Sequence, residues 1–238
     1  DMITDKEKTY EAVMHLGVVT DTQDMSGTVL SQAEELHVTE EELRAAIESF
    51  VGDYMQIPPM YSALKVNGKK LYELAREGKT VERKPRPVHF YEIEILEIAL
   101  PLVRFRVTCS KGTYIRTLCQ DIGEKLGCGA AMETLLRTKV GRFTLDDAIT
   151  LAQTEEAAQN GEIESKVLGI EKILAEYPRV CCTKEGDRLL ANGNPLVQAL
   201  VDAEEKNGWI RMCNSEGLFA GVYQWDEKRD RYFPVKMF

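Results

Sequence analysis

In the stretch CSKGTYIRTL, Cys109 to Leu118, an aromatic and a fixed cation, Tyr114 and Arg116, stand two residues apart just after Gly112. A strand-like run leads into the glycine and a helix-like run leaves it. Both side chains therefore belong to the opening of a helix. A helix N-terminus carries partial positive charge and free N–H groups. Arg116 gains nothing from that dipole and wants an anion, and a carboxylate or phosphate suits its guanidinium fork. Tyr114 offers a flat face for stacking and a hydroxyl. The pair suits a nucleobase beside an anion. It equally suits a surface arginine next to a core tyrosine, and local chemistry leaves both open.

A second group of candidates lies in Met60–Pro87, where eight Lys and Arg residues stand against three Glu. The segment is +5 while the whole 238-residue chain is −9, which leaves −14 elsewhere. A basic patch on an acidic body suits a phosphate-bearing partner; a solvated surface loop is the plainer account. Tyr61 and Tyr72 interleave with these bases, as they do where looped RNA is gripped by stacking and phosphate pairing. KVNGKK, Lys65 to Lys70, reads as a loop touching backbone phosphates. LLRTKVGRF repeats the theme with Arg137, Lys139 and Arg142.

Other chemistries find no motif. G-x-G-x-x-G, Walker A, H-E-x-x-H and G-x-S-x-G are all absent. The six cysteines form no C-x-x-C pair and the three histidines are far apart. Zinc spacing is therefore missing, and free thiols in a reducing cytoplasm are expected. Asp146-Asp147 reads as acids in the first turn of a helix, and Asp21 and Asp24 as stabilisers of their own turn. No apolar run approaches membrane-spanning length, and DMITDKEKTY lacks the secretory pattern.

The elements that must position these residues follow from periodicity. Tyr10 to Leu30 reads as two strands joined by a turn over Asp21–Gly27. Thr39 and Glu42 form a capping box ahead of the apolar stripe Leu43, Ala46, Ile47, Phe50 and Val51, which predicts a helix. KKLYELAREG predicts a second helix stopped by Gly78. VHFYEIEILEIAL and LVRFRVTCS predict two long strands; the second turns Val103, Phe105, Val107 and Cys109 to one face, as in an antiparallel sheet. Ile115, Leu118, Cys119, Ile122 and Leu126 form the stripe of a helix capped by Gly127. METLLRTKVGRFTLDDAITL predicts a short helix or extended turn, a strand end and another helix start. TEEAAQNGEIESKVLGIEKILAEYP predicts a charged helical segment closed by Pro178. Beyond it, short apolar runs between NGNP, EKNG, NSEG and DEKRD predict a small β module, which sets a boundary near Glu176.

Taken in order, KTYEA, LGVVTDTQDMSG, QIPPMYSALKVNGKKLYELAREG, CSKGTYIRTLCQDIGEKLGCGA and LLRTKVGRF resemble the bacterial tRNA pseudouridine synthase B family. NGNP resembles part of that family's small PUA-type RNA-binding domain. The similarity runs over essentially the whole chain. It implies an α/β (α+β) pseudouridine-synthase core over residues 1–176, with a mixed, largely antiparallel sheet and flanking helices. A β-rich PUA-like module would follow over 177–238. The implied reaction isomerises the T-loop uridine at position 55 of tRNA: the base is flipped out, the N-glycosidic bond breaks, and the base rejoins through carbon. Neither cofactor nor metal is implied. The expected partner is the tRNA T-arm, not a membrane, and the expected form is a cytoplasmic monomer.

By position, Tyr10 matches the family tyrosine that stacks on the base and is implicated in deprotonation at C5. Tyr114 and Arg116 match the tyrosine and arginine of the second site strand, where the arginine pairs with the catalytic aspartate. Leu135 matches an apolar residue lining the pocket. Ser62, Lys65, Lys69, Lys70 and Arg137 fall at expected substrate-binding positions, and Met60–Arg86 matches the mobile loop that closes over the T-loop. One departure stands out. The family's nucleophilic aspartate lies in an LDP motif upstream of the KTY tyrosine, and this chain has no LDP. Leu145-Asp146-Asp147 lies on the wrong side of the other motifs. The chain resembles the family without its first segment, so these residues alone are expected to be inactive. Arg116 is expected to lack its partner, at about 3–5 kcal/mol if fully buried. The alternative function is a non-catalytic tRNA- or RNA-binding protein or RNA chaperone.

Overall fold

The alternation in LVRFRVTC is realised: Val103, Phe105, Val107 and Cys109 are fully buried on one face of a strand. In the computed structural model, which describes residues 7–66, 68–202 and 205–238, that strand lies inside a six-stranded sheet. The first unit, residues 1–148, runs β1 (Lys8–Leu16), β2 (Val18–Thr20), β3 (Val29–Gln32), α1 (Glu40–Glu48), β4 (Gly52–Gln56), β5 (Lys65–Val66) and β6 (Lys69–Lys70). It continues through α2 (Leu71–Arg76), β7 (Arg86–Ala99), β8 (Leu102–Cys109), α3 (Ile115–Lys125), β9 (Ala130–Val140) and β10 (Phe143–Thr144). The sheet order is β10-β9-β1-β8-β7-β4, and every pairing in it is antiparallel. β2 with β3 and β5 with β6 form separate two-stranded ribbons.

One core holds this unit together. Leu43 and Ile47 of α1, and Ile115, Leu118, Cys119 and Ile122 of α3, pack with Ala12, Met14, Phe90 and Phe105 of the sheet. Each large apolar side chain buried this way contributes about 1.5–3 kcal/mol of transfer free energy. The expected capping box forms at α1: Glu42 N donates to Thr39 Oγ1 and Thr39 N donates to the Glu42 carboxylate. Helix α3 meets β9 so closely at Gly123 that an added Cβ would lie 2.2 Å from Ala130 N. That contact fixes the height of α3 over the sheet.

Two sequence expectations change. The METLLRTKV segment is not a short helix or turn but part of β9, an eleven-residue strand paired with β1 along its length. Register shifts at Thr9/Tyr10 and Val13/Met14 break the two-residue rhythm, and Leu135 and Leu136 are both exposed. No alternation was therefore there to be read. The 154–177 segment is not continuous either. It forms α4 (Leu151–Gln159), α5 (Ile163–Lys166) and α6 (Ile170–Ile173), with Gly161 at φ +73° ending the first.

The second unit, residues 149–238, contains these helices. Its division from the first therefore falls well before the change of sequence texture near Glu176. Beyond the helices come β11 (Arg179–Cys181), α7 (Asp187–Ala191), β12 (Leu196–Val197), β13 (Trp209–Cys213), β14 (Phe219–Asp226) and β15 (Arg231–Met237). Their sheet order is β11-β13-β14-β15-β12, with β11 parallel to β13 and the other pairs antiparallel. Its core includes Val180, Leu190, Ile210, Met212, Tyr223 and Tyr232. The architecture is thus mixed α/β with largely antiparallel sheets and a β-rich second unit. Among the described residues no helix is long and apolar enough to cross a membrane.

Candidate active site

The site is built where the turn after β2 reaches back to α3. Asp21 closes that turn: its backbone N–H donates to Thr28 O at 3.1 Å, and its carboxylate accepts from Thr28 N at 2.7 Å. Gly27 allows the closure, because a Cβ there would lie 2.3 Å from Thr22 Oγ1 and 2.4 Å from Asp21 Oδ1. Gln23 sits at φ +66°, a left-handed conformation that costs a non-glycine residue on the order of 1 kcal/mol and persists only where surroundings enforce it. The surroundings are β9 and α3. Met132 N donates to Gln23 O at 3.0 Å, and Met25 N donates to Met132 O at 3.0 Å. Thr117 Oγ1 of α3 donates to Gln23 Oε1 at 2.7 Å.

This docking sets Asp24 against Arg116, with Nη1 3.2 Å from Oδ2 and the side chains 18% and 27% exposed, respectively. Arg116 is therefore not left without a carboxylate, contrary to the expectation from the missing LDP segment. The turn supplies one from 92 residues away in sequence. The other Asp24 oxygen accepts from Thr22 Oγ1 at 2.8 Å, from Ser26 N at 3.1 Å and from Ser26 Oγ. Asp24 thus stabilises its own turn as expected and has a second function that spacing could not reveal. Burial pushes its carboxyl up, but the bonds from Ser26 and Thr22, with the Arg116 charge, outweigh burial and hold it below the ordinary carboxylate value.

Tyr114 caps α3 without a side-chain bond of its own. Its backbone is clasped by Gln56, the last residue of β4. Tyr114 N donates to Gln56 Oε1 at 2.8 Å, and Gln56 Nε2 donates to Tyr114 O at 3.0 Å.

Tyr10 packs against the core cluster that contains Ile115. It pairs with Arg137, and Ala12 pairs with Leu135. Cross-strand partners share a face, so Tyr10, Leu135 and Arg137 lie on one face of the sheet, the face that buries Ala12 under the helices. Burial pushes the Tyr10 phenol up, with Cys109 adding to it, and Arg137 opposes both.

The basic segment forms an insertion between β4 and β7. Its neck is the Gln56–Arg86 register pair with Arg83 Nη1 donating to Pro58 O at 3.1 Å. Lys65, Lys69 and Lys70 lie on the β5–β6 hairpin; Asn67 of its tip is outside the described residues. Lys65 is exposed. Lys69 faces Glu77 at 3.6 Å, and Lys70 Nζ donates to Tyr72 Oη at 3.1 Å. Ser62 is buried, with its hydroxyl unpartnered among the described residues.

The family model for the N-terminal domain of TruB family pseudouridylate synthases matches residues 1–115, and that for the tRNA pseudouridylate synthase B C-terminal domain matches residues 116–175. A tRNA pseudouridine synthase B of Lachnoclostridium phytofermentans is 47% identical, the match covering all of this chain and 81% of the relative. The chain belongs to the TruB family. The protein of the same name from Clostridium novyi is also 47% identical, over 90% of this chain and 73% of its own length. Among solved structures, a Cbf5-Nop10-Gar1 complex matches with a TM-score of 0.69 at 23% identity, over 99% of this chain and 67% of that one. An H/ACA RNP bound to a substrate RNA containing 2′-deoxyuridine matches with a TM-score of 0.67 at 20% identity, over all of this chain and 67% of that one. These two likenesses concern the fold.

Within a TruB chain, Tyr114 and Arg116 open α3, whereas Tyr10, Leu135 and Arg137 share the neighbouring sheet face. Ser62 and the three lysines belong to the insertion. Sequence reasoning missed Asp24 as the partner of Arg116, and it missed Gln23 and Gln56 entirely. QDMSG in the second motif block and the Gln that opens QIPPMYSALK carried the only signal.

Proposed function

We propose that this chain is the body of a tRNA pseudouridine synthase acting on the T-loop uridine. The observation that carries the proposal is the Arg116–Asp24 pair at the first turn of α3, beside a face presenting Tyr10, Leu135 and Arg137. Leu135 offers the base an apolar wall, and Tyr10 and Tyr114 offer aromatic faces. A guanidinium has five N–H donors, and Asp24 takes one at Nη1. The rest can hold a phosphate or a second carboxylate. The family's nucleophile would be that carboxylate, brought by the LDP segment, so the residues in hand would bind substrate without turning it over. In the isomerisation, the C1′–N1 bond breaks and N1 takes up a proton, the C5–C1′ bond forms, and C5 gives up its proton to solvent. Tyr10 is a neutral phenol at pH 7, since its pKa is raised. A part in removing that proton would depend on the Arg137 charge, which opposes the rise.

The basic insertion would hold the T-arm through Lys65, Lys69, Lys70 and Ser62, with the 177–238 module as a PUA-like RNA contact. Such a protein would work as a cytoplasmic monomer. Tritium release from C5-labelled uridine in tRNA tests the reading. The full encoded protein carrying the LDP segment should release tritium, and the 238 residues alone should bind tRNA without release. Tight binding without release by the full protein would instead favour the RNA-chaperone alternative. Release by the 238 residues alone would overturn the assignment of the nucleophile. Equal turnover on an isolated T-arm and an unrelated hairpin would overturn the T-loop.

A further inference from the structure

Gln56 is 1% exposed and ends the strand from which the basic insertion departs. A buried amide must meet partners for both its donor and its acceptor. Both partners here are backbone groups of one residue, Tyr114, at 2.8 and 3.0 Å. Tyr114 O also accepts the first helical bond from Leu118 N at 3.1 Å. The two-point clasp therefore holds the peptide groups on both sides of Tyr114 and, with them, its extended backbone at φ −105° and ψ 109°. That backbone aims the Tyr114 ring and sets the turn on which Arg116 reaches Asp24. The other end of the clasp is the neck of the insertion, where Gln56 registers with Arg86 and Pro58 meets Arg83.

We propose that Gln56 is a positioning residue for uridine isomerisation, holding Tyr114 and Arg116 in their working geometry and tying that geometry to the neck of the RNA-gripping insertion. The inference rests on the reading above as a pseudouridine synthase. Gln56→Glu tests it, because the side chain keeps its shape. When ionised, it retains the acceptor for Tyr114 N–H but points an anionic oxygen at Tyr114 C=O. When protonated, it restores the donor. Burial and the facing carbonyl raise the pKa of a carboxyl while the Tyr114 N–H opposes them, so lowering the pH favours the protonated form that restores the donor.

Using the full encoded protein, the ratio of Gln56→Glu to wild-type kcat for tritium release should rise at least tenfold from pH 8 to pH 6. KM for tRNA should stay within about twofold. Gln56→Met, which fills the space without polar atoms, should be slow at both pH values with a flat ratio. Hydrogen exchange in the 238 residues supplies a readout independent of activity: the amides of Tyr114 and Leu118 should lose protection in Gln56→Met and, at pH 8, in Gln56→Glu.

An active wild type with a flat Gln56→Glu ratio, or with the loss confined to KM, would overturn the inference. Full activity in Gln56→Met would do the same. Should Gln56→Glu fail to fold, Gln56→Met and the exchange measurement decide. An inactive full-length wild type would overturn the functional reading instead, and unchanged exchange at Tyr114 would then still count against the clasp.

Discussion

Replacing Asp24 with Asn probes the joint between the turn and α3. The substitution keeps the side chain's shape but removes the charge that Arg116 meets at 3.2 Å and that three donors from Thr22 and Ser26 share. Breaking a fully buried pair costs about 3–5 kcal/mol, whereas an exposed one contributes about 0–1 kcal/mol. With side chains 18% and 27% exposed, the pair lies between these limits, and a loss of about 2 kcal/mol is expected. For a unit of this size that is roughly 4–8 °C in Tm. The sign with pH follows from Asp24 being held below the ordinary carboxylate value. A depressed pKa contributes stability that is present above the unfolded value and is lost as pH falls through the folded one. The gap between wild type and Asp24→Asn should therefore be constant from pH 8 to about pH 5 and close toward pH 3.

Circular dichroism melts across that range, together with hydrogen exchange at the Met25 and Met132 amides that pin the turn to β9, read the effect. A gap under about 0.5 kcal/mol at pH 7, where surface substitutions fall, would refute the reasoning, as would a gap that persists undiminished at pH 3.

The opposite sign is expected at Asp121 on α3, whose pKa is raised from 3.8 to about 6 by burial, with Glu124 adding and the Tyr54 hydroxyl opposing. The folded state holds that proton more tightly than the unfolded one, so wild type loses stability as pH rises from about 4 to 6. Asp121→Asn keeps an acceptor for Tyr54 Oη, now at 3.0 Å. It should be more stable by about 1 kcal/mol at pH 7.5 after allowance for the carboxyl's remaining solvent contact. It should match wild type at pH 4 in chemical denaturation, and a less stable variant at pH 7.5 would contradict this. Gly123→Ala should destabilise the first unit by about 2–3 kcal/mol through overpacking against β9, despite a helix-propensity gain of about 1 kcal/mol. A neutral result in denaturant titration would count against the close approach. For the insertion, Lys65→Ala should flatten the log Kd against log salt slope for tRNA by about 0.7–0.9. Lys69→Ala and Lys70→Ala should do less, because Glu77 and Tyr72 already engage those side chains. Equal slopes for all three variants and wild type would return the hairpin to ordinary solvated surface.

Periodicity and capping chemistry made most of the first unit legible. The Thr39–Glu42 box, the alternation of β8 and the stripe of α3 are local patterns, and each formed as read. β9 was not legible, because its register shifts against β1 and its exposed leucines erase the two-residue rhythm. Arg116 was recognisable as a cation in need of an anion, since a helix N-terminus repels it whatever the fold. Which anion answers it was not, because Asp24 is 92 residues away and reads locally as a turn former. Gln56 showed only as the first residue of the QIPPMYSALK motif and its role was not legible, since a glutamine becomes a clasp only when β4 lies beside the mouth of α3. What the sequence by itself determined is the set of elements and the identity of the reactive side chains, because dihedral preference, amphipathic period and charge act over a few residues. Which of those side chains meet was decided by the tertiary structure alone, because hydrogen bonds and ion pairs act over about 3 Å in space, regardless of separation along the chain.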